Sequence, residues 1–417
     1  MAGSISSALL LLLNMAGTLL SPRAPQALPT ADDEGVDFFF FPFLVLYKSG
    51  RVERFMGTDT VPASLDAATG VASKDVAIDA AAGLAVRLYL PNTTAEKLPL
   101  LVFYHGGGFV TESAFSPTYQ RYLNALVSNA GVLAVSVDYH LSPERRLPTA
   151  YDDAWTVLRW ALRSARSGSA AAEPWLARRA DLTRLFLVGD SAGGNIAHNM
   201  AMRAGREGLD GGATIQGVAL LDPYFRGKRP VPSETQDPAE RRWRDSTWSF
   251  VCAGRYGVDD PVINPVAMAR DEWRRLGCAR VLVTVAGLDM LSARGRAYVA
   301  ALGASVLQSR QEDNEERKQK TQQGDTDLTW KTSPTKRGKN HWRQLAKLHY
   351  IEKCLQTPGI SQMQLFQPAA YKGFIYRWKP RSSTIRTVPA TGPSLPATGL
   401  APLVRSWPIL CRIWINI

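Results

Sequence analysis

A chain of 417 residues exceeds the usual size of one domain, so one large α/β unit with extra segments is the expected organisation. Its composition, 45% hydrophobic and 21% charged, is that of an ordinary globular protein. The net charge of +12 would suggest a polyanion partner, but residues 308–417 hold 18 Lys+Arg against 7 Asp+Glu and the first 307 residues are left at +1. The part that reads as folded is therefore neutral and offers no basic nucleic-acid surface.

Taken in order, the chain opens with an apolar run from Ala8 to Leu20, too short to span a bilayer. It resembles the apolar part of a secretory signal, although no Lys or Arg precedes it. We expect a cytoplasmic protein, with secretion as the alternative, and residues 1–37 as a disordered or signal-like N-terminus. Phe38 to Tyr47 is aromatic and apolar around Pro42 and reads as a packed strand or lid segment. Asp75–Ile78 and Leu84–Leu90 alternate as half-buried antiparallel strands do, whereas Leu98–Tyr104 and Val132–Tyr139 are nearly continuous apolar runs of buried parallel strands. Ala150–Ser164 is predicted as a helix with Trp155, Leu158 and Leu162 on one face. Leu185–Val188 is a strand, Ile196–Arg206 a helix, Gly217–Leu221 and Ala279–Val285 further strands, and Gly295–Leu302 a helix. Alternating strands and helices imply a mostly parallel central sheet flanked by helices. The aromatic stretch at 38–60 and the irregular region 226–277, with Trp243, Trp248, Phe250 and Trp273, read as cap elements over the strand ends. After Leu307 come a mixed charge run and a Pro/Thr/Ser-rich stretch, so 308–417 is expected to be a basic tail of low order.

Gly189-Asp190-Ser191-Ala192-Gly193 lies where the strand ending at Val188 turns into a helix. A G-x-S-x-G pattern in that context builds a nucleophile elbow, which raises the serine oxygen above the sheet and turns the next N–H toward a developing oxyanion. Ser191 is the candidate nucleophile and Ala192 a candidate oxyanion donor. His105-Gly106-Gly107-Gly108-Phe109 follows the strand ending at Tyr104. Its glycines let backbone amides approach a ligand oxygen, so Gly106, Gly107 and Gly108 join Ala192 as the candidate oxyanion hole, with Gly106 shaping the turn. Asp289, past the end of the strand at Val285, is the candidate acid, and Asp222 its rival. The base is harder to place. His105 belongs to the oxyanion loop, His140 ends an early strand, and His198 lies seven residues along the helix from Ser191, about 10 Å away. Only His341 and His349 follow Asp289, both in the tail. Four cysteines (Cys252, Cys278, Cys354, Cys411) lack C-x-x-C spacing and suggest neither a zinc site nor a disulfide framework.

With these motifs in place, residues from about Phe39 to Leu307 resemble the plant carboxylesterases of the hormone-sensitive-lipase-like α/β-hydrolase group. The stretches that carry the resemblance are 42–55, HGGGF at 105–109, Tyr139–Pro148, GDSAGGN at 189–195 and Leu220-Leu-Asp-Pro-Tyr224. It implies an α/β-hydrolase fold with an eight-stranded sheet and a helical cap. It further implies hydrolysis of a small-molecule carboxylic ester without metal or cofactor, and a triad of Ser191, Asp289 and a later histidine. The chain departs from the family twice. His140 stands where the family has arginine, a change expected to disturb local packing. Nothing after Leu307 matches the family's last strand or its Gly-x-x-His-x-Phe stretch, so the final strand is expected to be missing and the activity impaired. The alternative is a non-catalytic small-molecule binder like the gibberellin receptors, which are similar to this family and lack the triad histidine. Neither nucleic acid nor a stable membrane span is expected among its partners.

Overall fold

The computed structural model describes residues 35–166, 172–286, 289–305 and the backbone of 347–353. Among the described residues, eleven strands form two sheets. A small antiparallel sheet joins β1 (Val36–Phe40), β2 (Leu44–Tyr47) and β3 (Val52–Arg54). The large sheet comprises β4 (Ala72–Asp79), β5 (Leu84–Leu90), β6 (Leu98–Tyr104), β7 (Leu133–Asp138), β8 (Ala180–Asp190), β9 (Ile215–Leu221), β10 (Arg280–Ala286) and β11 (Lys347–Lys353). Its spatial order is β11-β10-β9-β8-β6-β7-β5-β4. Pairing is antiparallel for β4–β5 and β5–β7 and parallel for the rest, as the alternating and continuous apolar runs predict.

Every residue of β6 is buried. Leu100, Val102 and Tyr104 pack into the core on one face, Leu101 and Phe103 into the core on the other, which is the two-residue period of a strand covered on both sides. The second face is covered by α1 (Pro117–Ala130) through Tyr119, Leu123, Leu126 and Val127. The first is covered by α2 (Thr149–Arg166) and α4 (Ala192–Glu207). A short α3 (Pro174–Arg179) precedes β8, and residues 292–305 are helical. Helix α1 starts with Pro at its first turn, where a missing N–H costs nothing, and stops at Gly131, whose φ of 65° lets its N–H reach the Val127 carbonyl. The sequence reading did not foresee α1.

The region 226–277 is more ordered than its sequence suggests. It contains α5 (Pro238–Cys252), capped by Asp237, which accepts the Ala239 N–H at 2.8 Å, and a single turn α6 (Arg270–Trp273). This region and the small sheet pack on one another: Phe38 stacks on Phe250 at 4.3 Å and Phe40 meets Trp243 and Phe250 edge-on. Arg54 anchors the small sheet to the body, donating to the Val110 carbonyl at 2.6 Å and pairing with Glu144.

The expectation of a missing final strand is corrected. Lys347–Lys353 lies parallel to β10, in register from Arg280↔Lys347 to Ala286↔Lys353, and completes an eight-stranded sheet. An unpaired edge of β10 presents a row of N–H and C=O groups that another strand satisfies. The segment Leu348-His-Tyr-Ile351 has the strand-forming residues for it. The other residues of the expected tail, and 1–34 of the expected N-terminal segment, lie outside the described residues; β1 itself begins at Val36. No described helix is long and apolar enough to cross a membrane.

Candidate active site

Ser191 sits in the turn between β8 and α4 with φ 51° and ψ −116°. A non-glycine residue held at positive φ is strained, and here the surroundings enforce it. Its N–H donates to the Leu221 carbonyl at 2.8 Å, and its carbonyl accepts from Tyr224 at 2.8 Å and Asn195 at 3.1 Å. The flanking glycines are required by contact. A Cβ on Gly189 would strike the Gly193 carbonyl, and one on Gly193 would strike the Tyr104 carbonyl. That second contact also presses the elbow against the end of β6, where the oxyanion loop begins. Asn195, fully buried, accepts from Tyr151 Oη at 2.7 Å and donates to the carbonyls of Tyr224 and Val262, tying the helix start to the cap region.

Gly107 and Gly108 adopt φ 101° and 62°. No acceptor among the described residues takes the N–H groups of Gly107, Gly108 or Ala192. Among the described residues these three remain the candidate donors to an oxyanion. Gly106 differs from the other two glycines: its N–H donates to Tyr119 Oη at 2.6 Å, so it shapes the turn and has no free donor. The rings of Phe43 and Phe40 lie over Gly108 and roof this corner. Beneath it, Tyr119 Oη donates to Asp190 Oδ2 at 2.9 Å, and burial pushes the Asp190 carboxyl up to about 7 against that bond.

Asp289 follows β10, and its carboxylate accepts the Leu291 N–H at 2.6 Å. Burial raises its pKa, while that hydrogen bond and the Arg244 charge hold it down. Asp222, at the end of β9 with φ 43°, accepts the Ala286 N–H at 2.7 Å. Burial, reinforced by the negative charges of Asp289 and Asp190, pushes its carboxyl up to about 8. The structure therefore brings both acid candidates to the strand ends beside the elbow and gives them different electrostatic settings.

The histidines do not converge on them. Burial lowers His105 to about 4; its Nδ1–H donates to the Gly106 carbonyl at 2.8 Å and its ring stacks on Tyr139. His198 is buried among Phe225, Trp273 and Tyr298, with Nδ1 3.2 Å from Tyr298 Oη. His140 does not disturb its surroundings: Nδ1 lies 2.7 Å from Asp153 Oδ2 and Nε2 2.7 Å from the Ala82 carbonyl. His349 is in β11, in register with Leu282, four residues before the end of β10 and so roughly 13 Å below the strand ends. His341 lies outside the described residues.

Sequence reasoning missed Tyr119, on the unforeseen α1, and Tyr224, whose backbone holds the elbow. The repeated bonds to Ser191 and Gly106 have no local sequence signal.

With this geometry in view, comparison with known proteins is decisive. The profile of a family described as alpha/beta hydrolase fold matches residues 101–317. The chain belongs to that family. Its relatives are plant carboxylesterases and kindred enzymes. It is 48% identical over 277 residues to tuliposide A-converting enzyme 1, chloroplastic, of Tulipa gesneriana, covering 66% of this chain and 69% of that one. It is 44% identical over 269 residues to probable carboxylesterase 2 of Arabidopsis thaliana, covering 64% and 83%. It is also 44% identical over 282 residues to 2-hydroxyisoflavanone dehydratase of Glycyrrhiza echinata, covering 66% and 86%. The family match ends before both His341 and His349.

Proposed function

We propose that this chain is a carboxylic ester hydrolase that attacks small-molecule esters with Ser191 and forms an acyl-enzyme, at a rate reduced by the lack of a base among the described histidines. The observation that carries the reading is the strained Ser191 turn, with the unengaged amides of Gly107, Gly108 and Ala192 on the two adjoining loops. In the reaction, the Ser191 oxygen adds to the ester carbonyl, and these amides stabilise the oxyanion that forms. The tetrahedral intermediate then expels the alcohol, and water releases the acid. Asp289 is the acid we assign to the triad. Burial and the charges of Asp289 and Asp190 disfavour ionisation of Asp222, and its carboxyl already serves the Ala286 amide. The histidines whose side chains are described, His105, His140 and His198, bond elsewhere, so among them Asp289 has no base to orient.

This same feature favours a second reading, in which the site binds a small molecule without turning it over. The test is reaction with an organophosphonate followed by peptide mapping, alongside turnover of a short-chain nitrophenyl ester. We expect slow labelling confined to Ser191 and weak turnover. Tight ligand binding with neither labelling nor turnover would establish the binding module instead. For the compartment we propose the cytoplasm. The plastid named for the tulip relative is the alternative that a fluorescent fusion of the full chain would reveal.

A further inference from the structure

The contacts beneath the oxyanion loop assign a role to a residue outside both motifs. We propose that Tyr119 is a positioning residue of the oxyanion hole: its phenol, fixed to the carboxylate of Asp190, sets where the Gly106–Gly108 loop stands relative to Ser191. The proposal rests on the ester-hydrolase reading and concerns how that site is held.

Tyr119 belongs to α1, on the opposite face of the sheet from α4, and is 4% exposed. Its ring is wedged between Phe103 at 5.7 Å and His105 at 5.6 Å, so the phenol oxygen has one place to go. There it makes two bonds of opposite sense. It accepts the Gly106 N–H at 2.6 Å and donates its own proton to Asp190 Oδ2 at 2.9 Å. Gly106 opens the oxyanion loop and Asp190 immediately precedes the nucleophile, so one atom couples the two halves of the hole. The absence of a side chain at Gly106 is part of the device. A Cβ there would strike Asp190 Oδ2 and come within 3.0 Å of the Tyr119 oxygen.

From the other direction, Tyr139 Oη donates to the His105 carbonyl at 2.8 Å and approaches that of Gly106 at 3.3 Å. The first glycine peptide is thus gripped at both its N–H and its C=O. With it fixed, the directions of the Gly107 and Gly108 amides follow from their own backbone angles. Donors aimed at an oxyanion work because they need no reorganisation when charge develops. A strut that prevents reorganisation therefore acts on the chemical step more than on binding.

Tyr119→Phe keeps the ring and its packing and deletes both bonds. Asp190→Asn deletes the charge but keeps an oxygen acceptor for the phenol. The experiment measures kcat and KM on a short-chain nitrophenyl ester in the full chain, normalised to sites titrated with an organophosphonate. Amide hydrogen exchange of the peptide spanning 105–111 is followed in the same proteins. For Tyr119→Phe we expect kcat to fall about 100-fold, the loss typical of a misplacement near 1 Å, with KM little changed. Exchange in 105–111 should rise while the rest of the sheet is unaffected. Asp190→Asn, which keeps the acceptor, should raise exchange in 105–111 less than Tyr119→Phe does. A purely structural role would lower the melting temperature and leave kcat per titrated site alone, and that outcome overturns the proposal. Unchanged exchange in 105–111 overturns it whatever the turnover. A parent chain that hydrolyses no ester, combined with faster exchange in Tyr119→Phe, would sink the hydrolase reading and leave the strut standing.

Discussion

The two sides of the site are built from different materials. The nucleophile and oxyanion side is made of backbone: a strained serine turn, glycines that touch carbonyls, and amides aimed by neighbouring peptides. It sits in the middle of the sheet, between β6, β8 and β9, where strands on both sides and buried helices hold it. The acid side stands at β10, next to the edge, and depends on side chains and on whatever follows them. There the sheet is finished by β11, yet the histidines whose side chains are described, His105, His140 and His198, all bond elsewhere. Strand pairing needs only backbone groups and a little β propensity, whereas a catalytic base needs one residue type at one place. His349 of β11 is in register with Leu282, four residues before the end of β10, so completing the sheet does not by itself bring a base to the strand ends.

The most direct way to break this contrast is to supply the base. A chimera carrying the family's last strand and histidine stretch after Leu307 should hydrolyse a nitrophenyl ester far faster than the parent, by as much as about 10⁶ in kcat. A nucleophile and its base act as a unit, and losing one costs nearly as much as losing both. Ser191→Ala should therefore erase the gain in the chimera. In the parent it should abolish organophosphonate labelling and the Ser191-dependent turnover, leaving only the background hydrolysis by water that the oxyanion donors sustain. His341→Ala/His349→Ala should leave the parent's rate as it was. A fast parent that is silenced by the double variant would show that the chain does complete its triad.

A second experiment acts on the backbone side. Gly193→Ala places a methyl group against the Tyr104 carbonyl, where neither partner is a movable side-chain tip. We expect a loss of about 4 kcal/mol or more, at the severe end for a single substitution, and an aggregated or unfolded product in denaturant titration. A soluble variant within about 1 kcal/mol of the parent would mean that the elbow is less tightly seated than these contacts imply.

How far the sequence discloses all this follows the same division. β6, β7 and β8 are legible because buried parallel strands are continuous apolar runs, and the elbow because glycines are forced by contact at fixed offsets. Helix α1 is obscured because it buries polar residues. Gln120 is 7% exposed and accepts from Arg87 and Tyr89, and Asn124 is 3% exposed, so the apolar stripe is interrupted where it should be clearest. Cap helix α5 is obscured by its charges, since Arg244 is buried against Glu240. β11 is obscured because a short strand among polar runs gains meaning only from the open edge of β10. The engagement of the Gly106 N–H by Tyr119 is a tertiary bond that no local pattern announces.

The acid pair offers a pH test of the contrast. Asp222, raised to about 8 from its ordinary 3.8, prefers to be neutral in the folded chain. The unfolded chain ionises first, so stability falls as pH rises from about 4 toward 8 and levels off above. Asp222→Asn keeps an acceptor for the Ala286 amide and cannot ionise. Its melting temperature should gain on the parent's across that window and run parallel above it. Variant and parent differing by a constant amount at every pH would show that Asp222 is not held neutral by its surroundings.

The smallest effect is expected away from the site, at His140. Burial opposes its charge, but the bonds to Asp153 and the Ala82 carbonyl win and hold its pKa above the ordinary value of 6.5. A cation favoured by folding stabilises fully below the unfolded pKa and loses that contribution as pH rises through the folded one. His140→Ala should thus cost about 1 kcal/mol near pH 5.5, the worth of a hydrogen bond in a half-exposed setting. The cost should shrink as pH rises past neutrality, since the neutral ring can donate through only one of its nitrogens. His140→Arg keeps a permanent cation beside Asp153 and should flatten the profile. Catalytic parameters should be unmoved in both, because His140 contacts neither the elbow nor the oxyanion loop directly. A pH-independent cost in urea titrations would show that the imidazole is neutral in the folded chain and that packing alone, not charge, has accommodated it.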